Sequence, residues 1–61
     1  MVIETKKFPG LGGQGCLVEV NKRIDGSVYV VFRSEIGYGD PFIEMEQVEK
    51  LVEQMRQMRD E

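Results

Sequence analysis

Residues 16–33 read Cys16-Leu17-Val18-Glu19-Val20-Asn21-Lys22-Arg23-Ile24-Asp25-Gly26-Ser27-Val28-Tyr29-Val30-Val31-Phe32-Arg33, and this stretch decides the fold. Its first half alternates with period two. Cys16, Val18 and Val20 fall on one face, and Glu19, Asn21 and Arg23 on the other, with Leu17 at the entry. That pattern belongs to a strand with one buried and one wet face. Asp25-Gly26 follows, between two β-like runs, and is the strongest short-range signal for a hairpin. The second half, Val28 to Arg33, is β-branched and apolar on both faces, which predicts the central strand of the sheet.

Working outward toward the N-terminus, Val2 to Phe8 is also β-like, with Ile3 and Thr5 on one face and Lys6 and Phe8 on the other. Pro9 ends it. Gly10-Leu11-Gly12-Gly13-Gln14-Gly15 then forms a glycine-rich connection into the hairpin. Toward the C-terminus, Asp40-Pro41 has the form of an N-cap followed by proline at a first helical position. A helix starting there would leave Ile43 off its apolar stripe. The preferred reading is a short fourth strand over 42–45, with the helix beginning near residues 44–46. From there Val48, Leu51, Val52, Met55 and Met58 recur at helical spacing, and Glu46, Glu49, Lys50, Glu53, Gln54 and Gln57 take the opposite side.

The expected fold is therefore α+β. A small antiparallel β-sheet of three to four strands (about 2–8, 16–23, 28–34 and 42–45) carries one C-terminal amphipathic helix, about 46–59, packed on it. A single domain spans 1–61.

Sixty-one residues give a thin core, and chains this short are usually reinforced by disulfides, a metal or self-association. One cysteine cannot form an internal disulfide, and with no histidine it cannot build a zinc site, so self-association as a homo-oligomer, in the simplest case a dimer, is the expected remedy. The stripe Val48, Leu51, Val52, Met55 and Met58 is the expected interface, because its last turn can reach past a narrow sheet. The absence of histidine also removes Ser-His and Cys-His nucleophilic pairs, and no carboxylates are paired for acid–base work. The reading is of a non-catalytic protein without a cofactor or metal. Cys16 sits on the apolar strand face with no cationic neighbour in sequence, and reads as a small core residue. No run approaches the roughly 18 apolar residues of a membrane span. The opening Met-Val-Ile-Glu-Thr-Lys-Lys carries no apolar leader segment, so the expected compartment is the cytoplasm.

Net charge is −3, unevenly placed. Residues 1–33 hold five bases against three acids, and residues 34–61 hold three bases against eight acids. Lys22, Arg23 and Arg33 with Tyr29 and Phe32 are the basic and aromatic residues that interleave as single-stranded nucleic-acid binders require. From another class, the acidic helix residues Glu44, Glu46, Glu49 and Glu53 could dock on a basic protein partner, as an inhibitory accessory protein would.

Gly10 to Gly15 matches the dinucleotide pattern G-x-G-x-x-G by letter. That chemistry needs a helix N-terminus after the loop, and here a strand follows. Gly10, Gly12, Gly13 and Gly15 could instead line an anion with backbone amides. Gly12-Gly13-Gln14 also looks like the tripeptide of peptide-chain release factors, without their basic context.

Residues 18–55 resemble the positive-cofactor-four-type transcriptional coactivators, small dimers of four strands and a C-terminal helix that bind single-stranded DNA. The similarity lies in Val20-Asn21-Lys22-Arg23-Ile24-Asp25-Gly26, in Val28-Tyr29-Val30-Val31-Phe32-Arg33-Ser34-Glu35, and in Ile43-Glu44-Met45-Glu46-Gln47-Val48-Glu49-Lys50-Leu51. In place of the family's lysine-rich turn stands Gly37-Tyr38-Gly39-Asp40-Pro41, and Val48 stands for its helix tryptophan. The resemblance implies that Lys22, Arg23 and Arg33 contact phosphates, that Tyr29 or Phe32 stacks on bases, and that the helix forms the dimer interface.

Overall fold

The computed structural model describes residues 1–13 and 15–61. Three strands, β1 (Val2–Phe8), β2 (Cys16–Arg23) and β3 (Val28–Ser34), precede one helix, α1 (Met45–Arg59). The strands form an antiparallel sheet in the order β1-β2-β3. The helix covers one face and the other face is open, which makes a molecule only 13 Å across its shortest principal axis.

β2 is the middle strand, which corrects the expectation that 28–33 would be central. Both connections are short, so each neighbour in sequence pairs directly with β2. The residues of β3 are half-buried or exposed, and its two-sided apolarity carried no information about how many of its edges are paired. The turn after β2 is a three-residue loop. The Gly26 N–H donates to the Arg23 carbonyl at 2.9 Å, and the Arg23 N–H closes on the Ser27 carbonyl at 2.8 Å. Gly26 takes φ +92°, a conformation that side chains resist, which is why glycine follows Asp25. The Asp25 carboxylate accepts from both the amide and the hydroxyl of Ser27, at 2.9 and 2.7 Å, and these bonds hold its pKa below the ordinary value.

The fourth strand expected over 42–45 is not formed. After Ser34 the chain turns twice through left-handed glycines, Gly37 and Gly39, and leaves the β3 edge. It reaches residue 42 at the end of the sheet, where the Phe42 carbonyl accepts the Gly13 N–H at 2.8 Å. The helix begins at Met45 with Glu44 as N-cap, so Asp40-Pro41 does not start it. No side chain caps the first turn, and Glu46 there with Arg56 and Arg59 in the last turn suit the helix dipole.

The core is Cys16, Val18, Val20, Leu51 and Met58, with Phe8, Leu11, Val28, Val30, Ile43 and Met55 packed round it. Cys16, Val18 and Val20 lie on the face predicted from alternation. Fully burying one such side chain stabilises the fold by about 1.5–3 kcal/mol, so a core this small depends on each of them. The helix C-terminus is tied to the sheet by Lys22, whose ammonium donates to the carbonyls of Met58 at 2.9 Å and Glu61 at 3.1 Å. Lys6 joins the same corner, 2.7 Å from a Glu61 carboxylate oxygen. That bond lowers the pKa of Glu61 and raises that of Lys6, while Glu4, sharing a hydrogen bond with Glu61, is pushed up.

Among the described residues, no helix is long and apolar enough to cross a membrane.

Candidate nucleic-acid interface

Strand register assigns every side chain of the sheet to a face. Lys22 pairs with Val28, and Val18 with Phe32, all on the helix side. Asn21 pairs with Tyr29, Glu19 with Val31, and Leu17 with Arg33, all on the open side. From β1, Thr5 and Lys7 join the open side opposite Asn21 and Glu19.

The five residues expected to act as one basic and aromatic site are therefore divided between two faces. Arg23, Tyr29 and Arg33 share the open face. Lys22 lies behind the sheet, engaged with the end of the helix. Phe32 also lies on the helix side, at the β3 margin, and is 38% exposed. The physical reason is the period of the strand. Lys22 and Arg23 are adjacent in sequence, as are Phe32 and Arg33, so neither pair can face the same way. Lys7 enters the site instead. Continuing the alternation of the first strand by one residue from Lys6 would have placed it there.

The open face has a defined electrostatic structure. Arg23 lies over the Tyr29 ring, its guanidinium carbon 4.5 Å from the ring centroid, a cation–π contact. Arg33 reaches across to Glu19, with Nε 3.1 Å from Oε1. Glu19 and Asn21 are buried under these neighbours, and the Asn21 side-chain oxygen accepts from the Thr5 hydroxyl. Glu19 is the sole acid among the strand residues of this face, against Lys7, Arg23 and Arg33. A protein of net charge −3 thus presents a basic surface here, while Glu44, Glu46, Glu49 and Glu53 are exposed around the helix.

Part of the glycine loop's backbone is bonded within the chain. The Leu11 amide donates to the Phe8 carbonyl, the Gly13 amide to Phe42 and the Cys16 amide to Gly13, so these donors are committed within the chain. The backbone of Gly13 lies against the Phe42 ring, and a Cβ at Gly12 would sit 2.7 Å from the Cys16 carbonyl oxygen. Close packing accounts for glycine at 12 and 13. Gln14, and with it the release-factor-like tripeptide, lies outside the described residues.

Of the expected oligomer stripe, Leu51 and Met58 belong to the chain's own core, at 7% and 0% exposure. Val52 is exposed, and Val48 and Met55 are half-buried. Val52 and Met55, with Arg56 and Arg59, overhang Val28 across a cleft of about 370 Å³. Cys16 is buried at the start of β2.

Compared with protein-family models, curated proteins and solved structures, the chain matches none.

Proposed function

We propose that the protein is a non-catalytic binding module that takes a single-stranded nucleic acid on the open face of its sheet. The observation that carries this reading is the segregation of charge. The uncovered face carries Lys7, Arg23 and Arg33, with Arg23 over one half-buried aromatic ring, Tyr29, in a chain that is acidic overall. Cations track the phosphates, and the ring with its stacked guanidinium offers a platform for a base. The similarity of residues 18–55 to single-stranded-DNA-binding coactivators points the same way, with Arg23, Arg33 and Tyr29 in the contacting roles and Lys22 outside them.

Three cations and one ring give a weak site. Fluorescence anisotropy with labelled oligo-dT at low salt should show micromolar binding. The slope of log K against log salt should be about −2, from three phosphates at roughly −0.7 each. Arg33→Ala and Tyr29→Ala should each weaken binding several-fold. No binding at tens of micromolar, or binding insensitive to salt, would rule the reading out.

A second reading rests on the exposed carboxylates of α1. Among the described residues Glu46, Glu49 and Glu53 have no ion-pair partner in the chain, so they are available to a basic protein surface. A single protein retained from lysate after nuclease treatment, and lost on Glu49→Lys, would favour it.

A further inference from the structure

Glu19 is the one buried carboxylate among the described residues, and it lies on the open face, on the middle strand of the sheet. Its register neighbours are Lys7 on β1 and Val31 on β3. Among the described residues its ion-pair partner is Arg33, with Nε 3.1 Å from Oε1. The two side chains are unequally placed, at 10% exposure for the acid and 61% for the base. A shielded carboxylate thus engages a guanidinium that is otherwise open to solvent.

Stability does not call for an acid at this position. Replacing a buried ion pair by apolar side chains of similar volume is often neutral or stabilising. Thr5, Leu17 and Val31 show that the same face accommodates uncharged residues. What Glu19 supplies is charge, as the sole acid among the strand residues of a face that carries Lys7, Arg23 and Arg33. A carboxylate and a phosphate bind a guanidinium through the same charge-assisted contacts, so the two compete for it.

We infer, on the nucleic-acid reading of this face, that Glu19 is an internal counter-ion for which a phosphate exchanges at Arg33, and that this carboxylate limits the affinity of the face. A phosphate that takes Arg33 draws it from Glu19, which is left with Lys7, opposite it in register, as the remaining cation. A carboxylate below the surface regains little water when its partner leaves, so the exchange offsets part of the phosphate contact. Arg23 has no such competitor. Its guanidinium lies over Tyr29 and makes no ion pair among the described residues.

The oligo-dT anisotropy titration, run on wild type and on Glu19→Gln, tests it. The amide keeps the shape of the side chain and removes its charge. Binding should tighten about three- to tenfold, the effect of one unit charge near a phosphate in a partly solvated site. Arg33→Ala should then weaken binding by a larger factor in the Glu19→Gln background than in wild type, a non-additivity that a general loosening of the sheet would not produce. In wild type the side-chain carboxyl carbon of Glu19 should shift saturably with oligo-dT, a readout that stands even where Glu19→Gln fails to fold. Wild-type binding with Glu19→Gln equal or weaker, or with the Glu19 carboxyl unmoved, overturns the inference and leaves the reading of the face intact. No binding by either protein overturns both.

Discussion

Lys22 was expected from sequence to touch phosphate, and the structure gives it other work. Its ammonium donates to the Met58 carbonyl at 2.9 Å and to the Glu61 carbonyl at 3.1 Å, with Arg59 at a longer 3.5 Å. These are carbonyls of the last helical turn and the residues after it, where the helix ladder ends, and that of Met58 also accepts the Glu61 N–H at 3.4 Å. Lys22→Met keeps most of the apolar stem and removes the charge. The Glu61 and Arg59 carbonyls are exposed and water replaces the lysine there, so only the bond to the half-shielded Met58 carbonyl counts in full. A hydrogen bond with one charged partner contributes about 1.5–3 kcal/mol, and partial exposure favours the lower end, about 1.5–2 kcal/mol. For a chain of this size that is a fall in Tm of about 6–16 °C. Thermal melts by circular dichroism read it directly. Oligo-dT affinity at a temperature where both proteins are folded should be unchanged, because Lys22 is behind the binding face. A Tm within about 2 °C of wild type would refute the capping role, and a loss of affinity as large as that of Arg33→Ala would refute the division of the basic residues between faces.

Three further outcomes follow from the packing. Met58→Ala should cost about 2–5 kcal/mol in urea unfolding, since Met58 is fully buried, whereas Met45→Ala, at a position 80% exposed, should stay within about 0.5 kcal/mol. Gly13→Ala drives a methyl group into the Phe42 ring and should destabilise by about 1–3 kcal/mol, with shifted Phe42 resonances, while Gly10→Ala meets nothing and should be near neutral. Asp25 has a folded pKa below the ordinary 3.8, so its contribution is present above that value and is lost as pH falls through the lower folded one. Urea midpoints of wild type and Asp25→Ala should therefore differ at neutral pH and converge in acid.

The strand–turn–strand at 16–34 and the helix were legible because each has a period that a short sequence can carry. Cys16, Val18 and Val20 against Glu19, Asn21 and Arg23 repeat at two, and Val48, Leu51, Val52, Met55 and Met58 repeat near 3.6. What was not legible depends on relations between distant segments. Nothing in Val28 to Phe32 says whether one edge or two will be paired, and Phe42 read as strand-like because its contact with Gly13 is visible only in three dimensions. The candidate site was half legible. Residue types suggested a basic and aromatic cluster, but the same period that identified the strands assigns Lys22 and Phe32 to the opposite side from Arg23 and Arg33. Applied to the site as it was to the core, that period would have removed both and admitted Lys7.

The most direct measurement of the proposed interface is a backbone and side-chain NMR titration of the labelled protein with a short oligo-dT at low salt. The expected result is a set of saturable shifts at Lys7, Arg23, Tyr29, Val31 and Arg33, with the outward surface of α1 at Glu46, Glu49 and Glu53 unmoved. Shifts centred on the helix, or none at oligonucleotide concentrations up to about 1 mM, would contradict it.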